Sequence, residues 1–387
     1  MKILIATGIY PPDIGGPAVM LEALASSLEE SGFEVKIITY SDRGGIEGGK
    51  IFRISRKLPS AARYIRYFFR MAGLLRRADI IYVTDVYSVG YFAYFLKKIS
   101  GKKYVVRFAG DSAWEKAAAS GAIKENLLEF QEKKYGKEIE KAKNKRKKIL
   151  LFADGIICVS EFMKKIALKI GVDERKIKVI YNSADFMDCG SDDTAVSIIK
   201  NKYAPNGEKI ILTACRLVPW KGIDGVIKAI PEIERKVGSV KFLVLGDGPE
   251  KENLKRLSEE KRISGKICFL GKIGRDDIFD YFKAADVFVL NSKYEGFSHT
   301  VLEAMKTGVP VVVSNEGGNP EVVESGKSGF LVEYNNESQI AEAISRILDD
   351  KKLAEALCAG AKERLENFNW GNVAGETIKI FKELSSK

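Results

Sequence analysis

Short apolar runs alternate with longer amphipathic stretches along most of the chain. In the first half these runs are KILIAT, EVKIITY, IIYVT, KYVVRFA, DGIICVS and IKVIYN. The second half repeats the rhythm with KIILTACR, VKFLVLG, KICFLG, DVFVLN, VPVVVS and GFLVEY. Near-continuous apolar strands that alternate with helices are typical of parallel sheets covered on both faces. The pattern therefore predicts an α/β protein made of two doubly wound domains.

A polar segment separates the two sets of strands. Residues 184–208 contain Gly and Pro and show only weak periodicity, as is expected of a connector. We therefore predict an N-terminal domain over residues 1–183, a linker over 184–208 and a C-terminal domain over 209–367. A chain of 387 residues, 45% of them hydrophobic, is long enough for a core in each domain.

Charge and cysteine content narrow the partners and the location. Residues 1–183 hold 34 Lys and Arg against 20 Asp and Glu, whereas the whole chain has a net charge of +11. The first domain therefore carries the basic excess, which suggests an anionic partner there. The five cysteines are widely spaced, with no CxxC, which argues against disulfides and zinc. No run is long enough for a signal peptide core or a membrane span. The expected location is the cytoplasm, either in solution or peripherally at the inner face of the membrane.

Two cations follow the first strand of the second domain. Arg216 and Lys221 lie between KIILTAC and a helix that is predicted to begin near Ile223. In open parallel sheets, ligands bind beyond the carboxyl ends of the strands. A guanidinium and an ammonium beside a helix N-terminus can hold an anion such as phosphate. The alternative interpretation is a pair of solvated surface cations.

Two glutamates stand eight residues apart in the stretch EGFSHTVLEAMKTGVP. Glu295 is predicted on a loop, and Glu303 on the helix from His299 to Thr307. Carboxylates accept hydrogen bonds from hydroxyls, so two of them suit a polyhydroxylated ligand. They could instead act as general acid and base, as in glycoside hydrolases, or simply cap the helix. The spacing of the two glutamates does not distinguish between ligand binding, acid–base catalysis and helix capping.

Further motifs accompany the two glutamates and the two cations. The early glycine loop reads YPPDIGGPA, RLVPWKG surrounds Arg216 and Lys221, and GGNPE follows Glu295-x7-Glu303. The segment ADGIICVSEFMKKIALKIGVDERKIKVIYNSAD lies before the predicted connector and enters it. These motifs, in this order, resemble those of the family 4 retaining glycosyltransferases of the GT-B fold, and the last segment resembles the family's interdomain region. The likeness implies two Rossmann-like domains facing a cleft, with a C-terminal helix over 368–387 that crosses back to the first domain.

The resemblance also implies a nucleotide-sugar donor, bound mainly by the second domain. Arg216 and Lys221 would hold the diphosphate, and Glu303 the ribose hydroxyls. Glu295 would contact the sugar, assisted by the backbone amides of Gly296, Phe297 and Ser298. The nucleotide base would lie near Gly271, Lys272 and Ile273 and would be bound through main-chain contacts. The early glycine loop, which includes Gly16, would face the donor phosphates. The catalytic residues expected on this basis are Arg216, Lys221, Glu295 and Asp111. No cofactor and no metal ion are expected, because the nucleotide sugar is a substrate and the fixed cations offset its charge.

The chain departs from the family pattern after the fourth strand of the first domain. Many members carry a histidine there, whereas this chain reads VRFAGDSAWE, and its one histidine is His299 in the other domain. Asp111 is the candidate to replace that histidine in positioning the sugar or the acceptor. It could equally be the N-cap of the next helix. His299 could contact the donor or serve in packing.

Basic and aromatic residues interleave in the first domain, which suggests how the acceptor is reached. The cations are Arg53, Arg56, Lys57, Arg63, Arg66, Arg70, Arg76 and Arg77, with a second run over 141–148. Such a stretch can lie on an anionic membrane, which would suit a lipid-linked or polysaccharide acceptor. The alternative is an amphipathic helix with a solvated basic face. No nucleic-acid motif accompanies the charges.

Two functions other than transfer stay open. A sugar-nucleotide epimerase shares the GT-B fold, but it needs acid and base groups that a chain with one histidine supplies less naturally. A non-catalytic subunit that binds nucleotide sugars is less consistent with Arg216, Lys221, Glu295 and Glu303 occurring together. A dinucleotide oxidoreductase is weaker still, because no GxGxxG follows the first strand.

Overall fold

The computed structural model describes residues 1–13, 15–185 and 192–385, apart from the side chain of Asp276. It divides into two compact units. Unit 1 comprises Met1–Ala117, Leu127–Asn182 and Trp370–Lys387. Unit 2 comprises Ala118–Asn126 and Ser183–Asn369.

Unit 1 is built on an eight-stranded sheet in the order β3-β4-β2-β1-β5-β6-β7-β8, parallel except for the pairing of β3 with β4. Its strands are β1 (Lys2–Ala6), β2 (Glu34–Ser41), β3 (Gly45–Glu47), β4 (Ile51–Ser55), β5 (Ile80–Val83), β6 (Lys103–Phe108), β7 (Gly155–Cys158) and β8 (Ile177–Val179). The helices that precede the second sheet are α1 (Gly16–Glu30), α2 (Ser60–Leu75), α3 (Val89–Ser100), α4 (Ser112–Ala119), α5 (Leu127–Glu132), α6 (Lys137–Phe152) and α7 (Glu161–Ile170).

Unit 2 is built on a six-stranded parallel sheet in the order β11-β10-β9-β12-β13-β14. Its strands are β9 (Lys209–Ala214), β10 (Val240–Leu245), β11 (Ile267–Gly271), β12 (Val287–Leu290), β13 (Val311–Ser314) and β14 (Phe330–Val332). Its helices are α8 (Asp193–Tyr203), α9 (Ile223–Val237), α10 (Lys251–Glu260), α11 (Arg275–Ala284), α12 (His299–Lys306), α13 (Asn319–Val322), α14 (Glu337–Asp349) and α15 (Lys351–Leu365). The last helix, α16 (Trp370–Ser385), belongs to unit 1.

Burial explains why the apolar runs of unit 2 form these elements. Every residue of β12 and β13 is buried, as in the central strands of a parallel sheet. In α9, Ile223, Ile227 and Ile230 recur at the spacing of one helical face and are buried. α14 packs against α9. The result is one continuous hydrophobic core in unit 2.

The observed units correct two parts of the predicted domain organisation. Of the proposed linker, residues 186–191 lie outside the described residues, but 192–208 include α8 and belong to unit 2. Residues 118–126, which were assigned to the first domain, also belong to unit 2. There Lys293 Nζ donates a hydrogen bond to the carbonyl oxygen of Lys124.

The structure also corrects the interpretation of the first basic stretch. The segment IFRIS forms β4, and Phe52 and Arg53 are buried in it. Arg53 donates to the carbonyl oxygen of Pro11 at 2.7 Å and to Glu47 at 2.8 Å. Only Ser60–Leu75 forms an amphipathic helix, α2, and Arg76 and Arg77 follow its end. Arg53 therefore contributes to the interior of unit 1 and not to a solvated basic face.

Within the described ranges, no helix has both the length and the apolar character that crossing a bilayer requires.

Candidate functional site

The predicted site segments follow neighbouring strands of the second sheet. Arg216 and Lys221 come after β9, and Glu295 comes after β12, which is hydrogen-bonded to β9. The strand order reverses between these two, with β10 and β11 on one side and β13 and β14 on the other. Parallel α/β sheets bind ligands at such a switch point, beyond the carboxyl ends of the strands. The topology therefore brings together loops that are far apart in sequence.

Lys221 and Glu295 form an ion pair at this edge. Lys221 Nζ donates to Glu295 Oε1, and the two side chains are only 16% and 13% exposed. Partial burial holds the two charges more firmly than in a solvated surface pair. The pair thus presents an ammonium, which attracts anions, beside a carboxylate, which accepts hydrogen bonds from hydroxyls.

Gly222 lets the Lys221 loop lie directly against the end of β12. Its φ is +58°, and a Cβ there would stand 2.0 Å from the carbonyl oxygen of Asn291. Asn291 Nδ2 donates to the carbonyl oxygen of Gly222 at 2.8 Å and to Asn335 Oδ1 at 2.6 Å. Asn335 Nδ2 in turn donates to Asp224 at 3.3 Å. This amide network fixes the backbone next to Lys221. Sequence reasoning missed it, although Asn291 directly follows the apolar strand DVFVL.

The loop that carries Arg216 is held by a second loop through backbone contacts. The amide of Leu217 donates a hydrogen bond to the carbonyl oxygen of Asp247 at 3.1 Å. The amide of Glu250 donates to the carbonyl oxygen of Leu217, also at 3.1 Å. A Cβ on Gly248 would stand 2.2 Å from the carbonyl oxygen of Leu217. The tight GDGP turn is therefore required for this close approach. Arg216 itself is exposed at the surface.

Gly317 and Gly318 place a third loop against Glu295. The amide of Gly318 donates to the carbonyl oxygen of Glu295 at 2.8 Å. A Cβ on Gly317 would stand 2.4 Å from that oxygen, and a Cβ on Gly318 would stand 2.2 Å from the carbonyl oxygen of Gly296. The two glycines of the GGNPE motif thus fix the backbone of the Glu295 loop.

The residues before α12 use their side chains for packing and capping. Ser298 Oγ accepts a hydrogen bond from the amide of Val301 at 3.3 Å and is the N-cap of α12. Phe297 is buried, with its ring 5.2 Å from that of Phe368. His299 is the half-buried first residue of the helix. Any donor contact by Phe297 and Ser298 would therefore use their backbone amides, and this assignment stays a prediction.

Glu303 lies on the second turn of α12 and is half-buried. Burial raises the pKa of its carboxyl to about 7, and the positive charge of Arg275 opposes this rise. Desolvation disfavours the charged form of a carboxyl, so near neutral pH this group is divided between its two protonation states. Arg275, at the start of α11, is a further charged residue of this region that sequence reasoning missed.

We expect Glu303→Gln to stabilise the protein above pH 7. The folded carboxyl has a pKa of about 7 against 4.5 for an ordinary glutamate. The folded state therefore holds more protons than the unfolded state between these values, and stability falls as pH rises through this window. The substitution should raise the free energy of unfolding at pH 8 by roughly 3 kcal/mol and change it little at pH 4. Urea unfolding at both pH values measures this effect.

The exposed Glu363 provides the control for this experiment. Glu363→Gln should leave the pH dependence of unfolding as in the native protein. An equal effect of Glu303→Gln at both pH values would contradict a raised carboxyl pKa.

The segment predicted near the nucleotide base follows β11. Gly271 has a φ of +72°, and its carbonyl oxygen accepts a hydrogen bond from the amide of Gly246 at 2.7 Å. Lys272 is exposed and Ile273 is half-buried. This loop lies at the carboxyl edge, one strand beyond β10. Its main-chain contact with a base stays a prediction.

Two predicted site residues belong to unit 1. Gly16 is the first residue of α1, directly after β1 and its loop. Asp111 is fully buried and forms an ion pair with Arg146. It also accepts hydrogen bonds from the hydroxyl of Tyr87 at 2.8 Å and the amide of Ala113 at 3.1 Å. The bond to Ala113, at the start of α4, is that of the N-cap alternative. The structure does not bring Asp111 to a surface where it could meet an acceptor.

Two family models match the chain one after the other. The model described as Glycosyltransferase Family 4 matches residues 14–186. The model described as Glycosyl transferases group 1 matches residues 196–364, which include Arg216, Lys221, Glu295 and Glu303.

Relatives and solved structures agree with this match. An uncharacterised glycosyltransferase of Methanocaldococcus jannaschii is 29% identical over 400 residues, covering 99% of this chain and 98% of the relative. A GDP-mannose-dependent alpha-(1-6)-phosphatidylinositol monomannoside mannosyltransferase of Mycobacterium tuberculosis is 29% identical over 193 residues, covering 48% of this chain and 50% of that protein. The structure of sucrose-phosphate synthase from Thermosynechococcus elongatus is similar in fold, with a TM-score of 0.81 at 21% identity, covering 100% of this chain and 99% of that one.

The two matched regions follow each other as the two Rossmann-like units do, and the similarity in fold extends over the full chain. The loops at the switch point of the second sheet carry the motifs that first suggested the family. The chain therefore belongs to the family 4 glycosyltransferases and has the GT-B fold.

Proposed function

We propose that this glycosyltransferase moves a sugar, with retention of anomeric configuration, from a nucleotide-diphosphate sugar to a glycan or lipid-linked acceptor of cell-surface polysaccharide synthesis. The observation that carries the proposal is the Lys221–Glu295 ion pair at the strand switch point of unit 2. The pair combines, at one edge, a cation for phosphate with a carboxylate for sugar hydroxyls.

Arg216 and Lys221 would bind the diphosphate. Both lie on the loop after β9, and Gly222 and Gly248 hold the backbone on either side of them. A guanidinium can grip phosphate oxygens in two places, and an ammonium adds a compact charge. Fixed cations that face a developing negative charge lower the barrier to its departure, because they need no reorganisation during the reaction.

Glu295 would accept hydrogen bonds from the transferred sugar, and Glu303 from the ribose. A carboxylate that accepts from two hydroxyls is favoured in its charged form. Because the pKa of Glu303 is about 7, donor binding near pH 7 should be coupled to release of a proton from this group. The same coupling predicts tighter binding as pH rises through 7.

Retention places the incoming and departing groups on one face of the sugar. The bond from the anomeric carbon to the phosphate oxygen breaks, and the diphosphate leaves with the electron pair. The acceptor oxygen bonds to the same face, and its proton passes to the departing phosphate. Because Arg216 and Lys221 supply positive charge, this proposal requires no metal ion, and we expect activity to persist in EDTA.

The nature of the acceptor is proposed on two grounds. The mannosyltransferase relative is named for phosphatidylinositol monomannoside. The first 183 residues of this chain carry a strong basic excess, which suits acceptors held at an anionic surface.

The donor site can be tested by calorimetry with UDP, GDP, ADP and their sugars. We expect one nucleotide to bind tightly, and both Arg216→Ala and Glu303→Ala to weaken its binding at least tenfold. Lys255→Ala, which removes an exposed cation paired with Glu252 in the same unit, should bind like the native protein.

Product analysis with the preferred sugar nucleotide separates the rival functions. A transferase should release the nucleoside diphosphate and transfer the sugar to an acceptor or to water. Interconversion of sugar nucleotides would indicate an epimerase, and binding without turnover a non-catalytic subunit. Binding that survives both substitutions would overturn the site assignment.

A further inference from the structure

Large apolar side chains are exposed on three helices of unit 1. Of the ten that are exposed among the described residues, seven lie on α2, α3 and α6. The other three, Ile46, Leu168 and Ile198, are scattered over β3, α7 and α8. Isolated apolar residues are ordinary on a protein surface, but a grouped set marks a contact site.

α2 is apolar on the side that faces solvent as well as on the side that faces the core. Its inner face buries Tyr67, Met71 and Leu75. Ile65 and Phe69, one helical turn apart, are nevertheless 57% and 68% exposed. A helix that only covers a sheet would place polar residues at these positions.

The three helices lie side by side. Phe92 of α3 packs its ring 5.7 Å from that of Phe68 on α2. On the other side of α3, the ring of Tyr94 lies 5.3 Å from that of Phe152 on α6. The exposed residues of the three helices therefore form one surface. We call it the three-helix surface and define it by the seven exposed side chains Tyr64, Ile65, Phe69, Phe95, Ile99, Leu151 and Phe152.

Basic residues border this surface, although Lys97 and Lys143 form ion pairs with Asp154 and Glu140. α2 and α3 together contain five basic residues and no acidic one, and α6 contains six from residue 141 onward, again with no acidic one. Those exposed to solvent include Arg66, Arg70, Lys98, Lys147 and Lys148.

Not every cation of the two basic stretches belongs to this surface. Arg53 and Arg56 form ion pairs with Glu47 and Asp13. Arg146 is buried against Asp111. The three-helix surface thus includes only some of the basic residues that the sequence argument named. It also includes apolar residues of α3 and of the end of α6, which that argument did not name.

We infer that the three-helix surface docks this enzyme onto an anionic lipid bilayer. The apolar side chains would enter the interfacial region, and the surrounding Arg and Lys would lie near the lipid phosphates. The inference rests on the proposed function only for its purpose, which is to bring the enzyme to a lipid-linked acceptor.

The charge pattern favours a bilayer over a protein partner. Protein interfaces are depleted in Lys relative to the rest of the protein surface, whereas three of the five exposed cations named above are lysines. Long basic side chains around aromatic and aliphatic residues are typical of helices that lie in a membrane interface. Each cation near an anionic surface contributes about 1 kcal/mol, which is roughly a fivefold change in partitioning.

Vesicle flotation of the full-length protein tests the inference. We expect binding to vesicles of phosphatidylglycerol and phosphatidylcholine, little binding to phosphatidylcholine alone, and weaker binding at high salt. Ile65→Ser with Phe69→Ser should reduce the partition coefficient at least tenfold. Arg66→Glu with Arg70→Glu should do the same. Circular dichroism and thermal unfolding of each variant should match those of the native protein, because the substituted side chains are exposed.

The matched control combines Ile198→Ser with Arg256→Glu, an exposed apolar residue and an exposed cation of unit 2. It should bind vesicles like the native protein. The inference would be overturned if the protein bound anionic and neutral vesicles equally weakly. It would also be overturned if the control variant lost as much vesicle binding as the α2 variants. Concentration-dependent dimerisation that the Phe69→Ser change abolishes while vesicles stay unbound would overturn it as well, because the surface would then pair two copies of the chain.

Nucleotide binding is measured on the same preparations. The α2 variants should retain it, so a failure of membrane docking is distinguishable from a failure of the proposed donor site.

Discussion

Lys221→Ala is expected to slow cleavage of the sugar nucleotide by about 10²- to 10³-fold, since removal of one fixed group that stabilises a developing charge has effects of this size. The ammonium would be lost from the loop that binds the diphosphate, so kcat should fall and not only affinity. The substitution also leaves Glu295, which is 13% exposed, without its partner. We therefore expect the free energy of unfolding to fall by about 2 kcal/mol, somewhat less than for a fully buried pair. Release of nucleoside diphosphate and urea unfolding measure the two effects.

A second substitution separates these two roles of Lys221. Adding Glu295→Gln to Lys221→Ala removes the unpaired charge, so stability should recover while cleavage stays slow. Lys255→Ala is the matched control, because Lys255 forms an exposed pair with Glu252 and should change neither quantity. Native cleavage rates in Lys221→Ala would exclude a role for this ammonium in catalysis.

Gly222→Ala is expected to destabilise unit 2 by about 3 kcal/mol or more and to abolish tight nucleotide binding. An added Cβ would stand 2.0 Å from the carbonyl oxygen of Asn291, which is backbone and has little room to move. The left-handed backbone conformation adds a further cost of about 1 kcal/mol for a residue with a side chain. The loop must therefore shift, and Lys221 shifts with it. Thermal unfolding and calorimetry report the two outcomes.

Gly308→Ala controls for backbone conformation alone. Gly308 has a φ of +78°, but a Cβ there would meet nothing within 4 Å. This variant should lose only about 1 kcal/mol of stability and keep nucleotide binding. If Gly222→Ala behaves like Gly308→Ala, the contact with Asn291 does not constrain the loop.

Apolar runs were sufficient to locate most strands of both sheets. Runs such as DVFVLN and VPVVVS contain β12 and β13, whose residues are all buried, because a strand covered on both faces needs an uninterrupted apolar sequence. The segment IFRIS, which forms β4, was not predicted as a strand. Arg53 interrupts its apolar pattern, and its buried guanidinium donates through Nη2 to the Pro11 carbonyl and to Glu47.

The sequence predicted the domain boundaries less accurately than the strands. Residues 118–126 belong to unit 2 although α4 and α5, on either side of them, lie largely in unit 1. A sequence pattern reports local periodicity, and it carries no information on which distant segment a short loop will contact. The hydrogen bond between Lys293 and Lys124 spans 169 positions.

The sequence alone was enough to establish the α/β architecture, the basic character of the first domain and the motifs of a glycosyltransferase, because these depend on periodicity, composition and local order. Only the tertiary structure decided which charges meet. Lys221 pairs with Glu295 because β9 and β12 are neighbours in the sheet, and Asp111 is sequestered by Arg146. The pKa of Glu303 likewise follows from burial. Electrostatic interactions and desolvation depend on distances across the fold, which no local stretch of sequence contains.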